Sequence, residues 1–135
     1  MQFDTKVAVV LRDDLPTWQK LNMTAFLISG IAGTVPLVGE DYEDGSGNRY
    51  LPMCRQPILV FAGDAAQLRT TYERAMSREV RLAIFTEELF GTGNDIDNRA
   101  AVKAVAREDL RLVGLALRAE KKTMDKITKG LTLHK

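Results

Sequence analysis

Four runs along the chain are apolar at nearly every position, and polar residues or glycine bound each one. They are "KVAVVL" from Lys6 to Leu11, "PILVFAG" from Pro57 to Gly63, "VRLAIFT" from Val80 to Thr86 and "LRLVGLALR" from Leu110 to Arg118. Continuous apolar runs of this length predict strands buried on both faces. Between the second and third, "DAAQLRTTYERAMSR" places Leu68, Tyr72, Ala75 and Met76 at helical spacing, with Asp64 and Gln67 as the N-cap and N3 residues of a capping box. That spacing predicts an amphipathic helix. Strands alternating with helices predict a three-layer α/β/α fold. Its four-stranded mixed sheet would be mostly parallel, with helices on both faces.

The other segments fill in around this frame. From Leu21 to Ala32 the only polar side chains are Asn22, Thr24 and Ser29, and apolar residues fall on every side of a predicted helix. A helix apolar all round needs cover on both sides, and a homodimer is the expected way to supply it. Val38 to Tyr50, "VGEDYEDGSGNRY", holds the turn signal "DGSGN" between two short runs and predicts a projecting β-hairpin. "EELFGTGNDIDNRAAVKAVARED" reads as a loop and then a short helix, and a last helix runs from about Lys121 to Thr128 and stops at Gly130. The longest apolar stretch, Met23 to Val38, is broken by Thr24, Ser29, Gly30, Gly33, Thr34 and Pro36. It falls short of the ~20 apolar residues of a membrane span, so no membrane partner is expected.

Composition narrows the chemistry. With 135 residues, 45% of them hydrophobic, the chain suffices for one domain over 1–135 and is too short for two. A formal charge of +1 gives no global field toward nucleic acid, so such a partner is not favoured. Cys54 is the lone cysteine, and "MQFDTKVAVVLRDD" lacks the signal-peptide pattern, which together predict a cytoplasmic protein without disulfides. His134, the lone histidine, reads as a solvated tail residue and leaves no Ser-His-Asp triad, Cys-His pair or histidine metal site. "GTGNDI" lacks the third glycine of a dinucleotide fingerprint, and no Gly-Lys-Ser/Thr is present. Neither a cofactor nor a metal is expected. The acids Glu40, Asp41, Glu43 and Asp44 suit a hard cation but read better as the solvated face of the hairpin. Arg118, Lys121, Lys122, Lys126, Lys129 and Lys135 likewise read as the exposed side of the last helix.

One crevice remains as a candidate site. In open α/β sheets ligands settle beyond the carboxyl ends of the strands, near a switch in strand order. The first strand ends at Arg12, Asp13 and Asp14, the third at Thr86, Glu87 and Glu88, and the first helix begins near Lys20 and Asn22. Asp13, Lys20, Asn22, Thr86 and Glu87 are therefore expected to share a ligand-binding crevice. A lysine near a helix start opposes the helix dipole, which favours anions there, so it calls for another reason.

The order of "VAVVLRDDL", "QKLNMTAFLISGIAG", "QPILVFAGDAAQLRTTYERA" and "KKTMDKITKGLTLHK" resembles the peptidyl-tRNA hydrolase type II fold. It resembles more closely the uncharacterised relatives of that fold grouped as a domain of unknown function, through Leu21 and Asn22, Leu37 to Gly39, and Gly130 to Leu133. The resemblance runs from Lys6 onward, with the hairpin as an addition. It implies a functional lysine at Lys20. Where the hydrolases place a glutamine and a histidine along that helix, this chain has Thr24 and Leu27, and the loop after the third strand is "TEELFGTGNDIDNR". The expected function is a non-catalytic or weakly catalytic binding module for a small anionic or carbonyl-bearing ligand. The alternatives are a hydrolase of aminoacyl or peptidyl esters using Lys20 and Glu87, with no catalytic set identified, and a purely structural or interaction protein whose apolar helix forms an oligomer interface.

Overall fold

The computed structural model describes residues 2–135. In chain order the elements are β1 (Thr5–Arg12), α1 (Thr17–Ala32), β2 (Tyr42–Glu43), β3 (Arg49–Tyr50), β4 (Ile58–Gly63), α2 (Ala65–Ser77), β5 (Leu82–Thr86), α3 (Asp95–Lys103), β6 (Leu112–Glu120), α4 (Lys121–Ile127) and β7 (Thr132–Leu133). Tight 3-10 turns lie at Glu87–Gly91 and Arg107–Asp109.

β1 is the centre of the sheet, whose order is β5-β6-β1-β4-β7. Its residues Val7 to Val10 are all fully buried, as the unbroken apolar run requires. Val7, Val9 and Leu11 pack with Met23, Leu27 and Ile31 of α1. On the opposite face Ala8 packs with Met124 and Ile127 of α4, and Val10 with Leu68 and Tyr72 of α2. Side chains alternate along a strand, so one strand feeds both helical layers.

Among the described residues this sheet has five strands, where the apolar runs predict four. The added strand, β7, pairs Leu133 with Phe61 and Thr132 with Ala62. Both of its residues are exposed, so it has no buried pattern to betray it. It forms because the turn at Gly130, with φ +92, brings the tail back along the free edge of β4. The sheet is mixed rather than mostly parallel. β1 and β4 run parallel, whereas β6 runs antiparallel to both β1 and β5. Thr86 pairs with Leu112, so the excursion between them leaves and re-enters the sheet at the same end, and apolar runs carry no sign of direction.

The hairpin β2–β3 projects from the body, and every residue from 40 to 51 is exposed. Asp44 closes its turn, accepting from Ser46 N at 2.9 Å, Asn48 N at 3.0 Å and Tyr50 Oη at 2.7 Å. The Tyr50 hydroxyl, ahead of Asn48 and Ser46, holds that carboxyl down at about 2. With the hairpin turned outward, α1 is covered on one side only. Met23, Leu27 and Ile31 are buried, whereas Trp18, Leu21 and Phe26 are 60%, 68% and 55% exposed.

Candidate functional site

Lys20 lies one turn into α1, beside the carboxyl ends of β1 and β4. Its Nζ is 3.1 Å from Nε2 of His134. The histidine is held from two sides: its backbone N–H donates to Val60 O at 2.8 Å, and its Nδ1 lies 2.8 Å from Lys135 O. An oxygen there can only accept, so Nδ1 carries the proton and Nε2 presents its lone pair to the lysine ammonium. Extension of the β7 pairing thus turns a tail residue into part of a wall. His134 is exposed, as expected from the sequence, but it is pinned to β4 and touches Lys20.

Together they border a groove of about 600 Å³ whose other walls are Leu11, Thr17, Leu21, Thr24, Ala25, Val60 and Lys135. No acid lines it, and among the described residues no carboxylate lies within salt-bridge distance of Lys20. Thr24 donates its hydroxyl to Lys20 O at 2.7 Å, which keeps the donor inside the helix and leaves the oxygen lone pairs free. An apolar slot bordered by Lys20, Lys135 and an imidazole suits a carboxylate or carbonyl oxygen on an apolar body.

Glu87 is engaged elsewhere. Arg12 Nη1 donates to its Oε1 at 2.8 Å, and Arg111 Nη1 lies 3.5 Å from its Oε2. Arg12 also donates to Asp14 at 2.6 Å. The Arg12 hydrogen bond holds the Glu87 carboxyl below its ordinary value, against the opposing effect of partial burial. The same bond raises Arg12. This brace ties the end of β1 to the start of the 3-10 turn after β5. A register irregularity between Phe85 and Thr86 turns the chain there.

The Glu87 carboxyl is depressed in the folded state, so its stabilisation is present above pH 4.5, the ordinary value, and is lost as pH falls through the folded value. Both side chains reach solvent, which limits the pair to under about 1 kcal/mol. Glu87→Gln should therefore flatten that acid limb of a thermal-melt pH series and change little at neutral pH. An unchanged acid limb would dissociate Glu87 from the brace.

The remaining members of the expected crevice are dispersed. Thr86 is 2% exposed, with its side chain closed off from ligand. Asp13 is exposed at the end of β1, where its N–H donates to Gly63 O at 2.9 Å, and it does not line the Lys20 groove. Asn22 lies on the other flank of α1, lining a separate hollow with Trp18, Phe26, Phe85 and Phe90. Residues two apart on a helix point about 200° apart, so Lys20 and Asn22 face different cavities. Arg12 reads from the sequence as a strand end without a role, His134 reads as a solvated tail residue, and Arg111 escaped the sequence reading. The alternation Leu131-Thr132-Leu133 after Gly130 was the available signal for His134. Cys54 forms an isolated bridge with Val38 and packs half-buried against the α1 core.

Among the described residues no helix is long and apolar enough to cross a membrane. No curated protein matches the chain. The solved structure of a protein of unknown function from Agrobacterium tumefaciens strain C58 is similar over 99% of this chain and 100% of that one, at 50% identity and a TM-score of 0.95. Residues 5–135 match the family model described as "Protein of unknown function (DUF2000)". By that match over nearly its whole length, the chain belongs to the DUF2000 family.

Proposed function

We propose that this protein binds a small organic anion, or a carbonyl-bearing ligand of similar shape, in the groove between α1 and the β4–β7 edge. The observation that carries the reading is the Lys20 ammonium, set in an apolar slot beside His134 with no aspartate or glutamate paired to it among the described residues. A positive charge with low-dielectric walls concentrates anions, and the groove's volume lies within the range of small-molecule sites. Thr17 and Thr24 supply polar edges, and Leu21, Ala25 and Val60 hold the apolar body. In this reading Glu87 and Asp13 frame the strand ends, and Asn22 belongs to the second hollow. The hydrolase reading that pairs Lys20 with Glu87 gains no support, because two guanidinium groups take up that carboxylate.

We further read the chain as one domain with a peptidyl-tRNA hydrolase II-like fold, working in the cytoplasm as a homodimer. The exposed Tyr42, Tyr50, Leu51 and Met53 on and beside the hairpin support the dimer. Sedimentation at micromolar concentration should give twice the 15.0 kDa of the chain, and a strictly monomeric mass would refute it.

Calorimetric titration of the intact protein with benzoate and hexanoate at constant ionic strength tests the function. Saturable heat from either, absent with chloride, is the expected result. Heat no greater than that of chloride for both would remove the anion-site reading.

A further inference from the structure

The opposite flank of α1 carries a second concavity. It comprises two hollows of about 410 and 430 Å³ that share Phe26, Phe85, Leu89, Asp95 and Asn98, so they form one cleft between α1, the end of β5 and α3. Four aromatic rings line it in sequence. Trp18 meets Phe90 edge-on at 6.0 Å between centroids, Phe90 meets Phe85 at 4.9 Å, and Phe85 meets Phe26 at 6.3 Å. Phe85 is the floor, only 5% exposed, whereas Trp18 and Phe26 stand 60% and 55% exposed at the rim.

Asn22 lies between those two rim residues, one helical turn from each. Its carboxamide is exposed, has no hydrogen-bond partner among the described residues, and stands beside the exposed aromatic side chains Trp18 and Phe26. Across the cleft, the Asn98 side chain pairs with the Thr92 hydroxyl. Among the described residues the inner hollow, between Trp18 and Asn98, is lined by no lysine or arginine and by one acid, Asp95, paired with Arg99 at 3.0 Å, whereas Arg99 and Lys103 line the other hollow.

From this juxtaposition we propose that the cleft is a binding site for a neutral planar heteroaromatic ring. The ring continues the tilted aromatic chain from Trp18 to Phe26, in the separation range that aromatic pairs favour. Its polar edge meets Asn22, because a carboxamide offers a donor and an acceptor side by side and matches a heterocycle with the same pair. The absence of a free cation in the inner hollow separates this ligand from the anion of the Lys20 groove. The two sites lie on different flanks of one helix, and this proposal stands independently of the first.

Trp18 is the sole tryptophan, so its emission reports this site alone. Titrating the intact protein with adenine should change that emission saturably, and Asn22→Leu should weaken the effect about tenfold while retaining the same melting temperature. Tetramethylammonium should produce no saturable change. Equal saturation by tetramethylammonium would replace the ring site with a cation cage and overturn the proposal. So would an adenine response unaltered in Asn22→Leu, or no response at all. A Trp18 emission that shifts with protein concentration alone, in step with doubling of mass, would also overturn it, by assigning the cleft to a second copy of the chain.

Discussion

Gly114→Val should be the most damaging single substitution in the protein, lowering stability by about 3 kcal/mol. Gly114 lies within β6, paired to Leu11 on one side and Phe85 on the other, directly beneath α1. A Cβ built there would run into Met23 Sδ and come within 2.9 Å of Leu27 Cδ1. Both residues are among the largest fully buried side chains, so neither has free space to move into. Methionine yields through its flexible chain, but Leu27 is trapped between sheet and helix, and α1 must lift. A loss of that size corresponds to a fall in melting temperature of roughly 10 °C. Thermal melting of Gly114→Val beside the parent checks this, and an unchanged midpoint would mean that α1 stands further from the sheet. The effect reaches function because α1 forms a wall of both cavities.

Lys20→Met should have the opposite profile, with large loss of ligand and little loss of fold. The substitution keeps most of the apolar stem and removes the charge. Among the described residues no salt bridge holds Lys20, and its side-chain hydrogen-bond partner is the His134 ring at 3.1 Å. A hydrogen bond to a charged group is worth about 1.5–3 kcal/mol, so carboxylate affinity should fall about 10- to 100-fold. The melting temperature should move by no more than about 2 °C. Titration calorimetry and a thermal melt on the same preparation separate the two effects. Retained affinity in Lys20→Met would place the anion elsewhere, and a large drop in melting temperature would make Lys20 a structural residue.

How far the fold was legible depends on how each element stabilises itself. β1 and β6 are buried on both sheet faces and β4 and β5 are largely half-buried, yet all four announce themselves as apolar runs, and α2 does so through its Asp64–Gln67 capping box, present with both reciprocal bonds. β7 was invisible because its two exposed residues gain their place from the free edge of β4 and not from burial. The antiparallel entry of β6 was equally hidden, since direction depends on where the preceding loop returns. The site was legible in part. Lys20 stands out as a lysine against a helix dipole, but its partner His134 is 114 residues away and reaches it only through the tail pairing. Glu87 drew notice as a carboxylate at a strand end, yet the two arginines that occupy it belong to β1 and to the segment before β6. The separation of Lys20 from Asn22 follows from helical geometry alone and was available from their numbering.

The central claim is that Lys20, held beside His134, receives an anion, and the chain's single histidine, in contact with Lys20, makes it directly observable. In a proton NMR titration with benzoate, the lone imidazole resonance should move saturably in the wild-type protein and stay fixed in Lys20→Met. An imidazole signal indifferent to benzoate in the wild type, or one that moves equally in both proteins, would contradict the account.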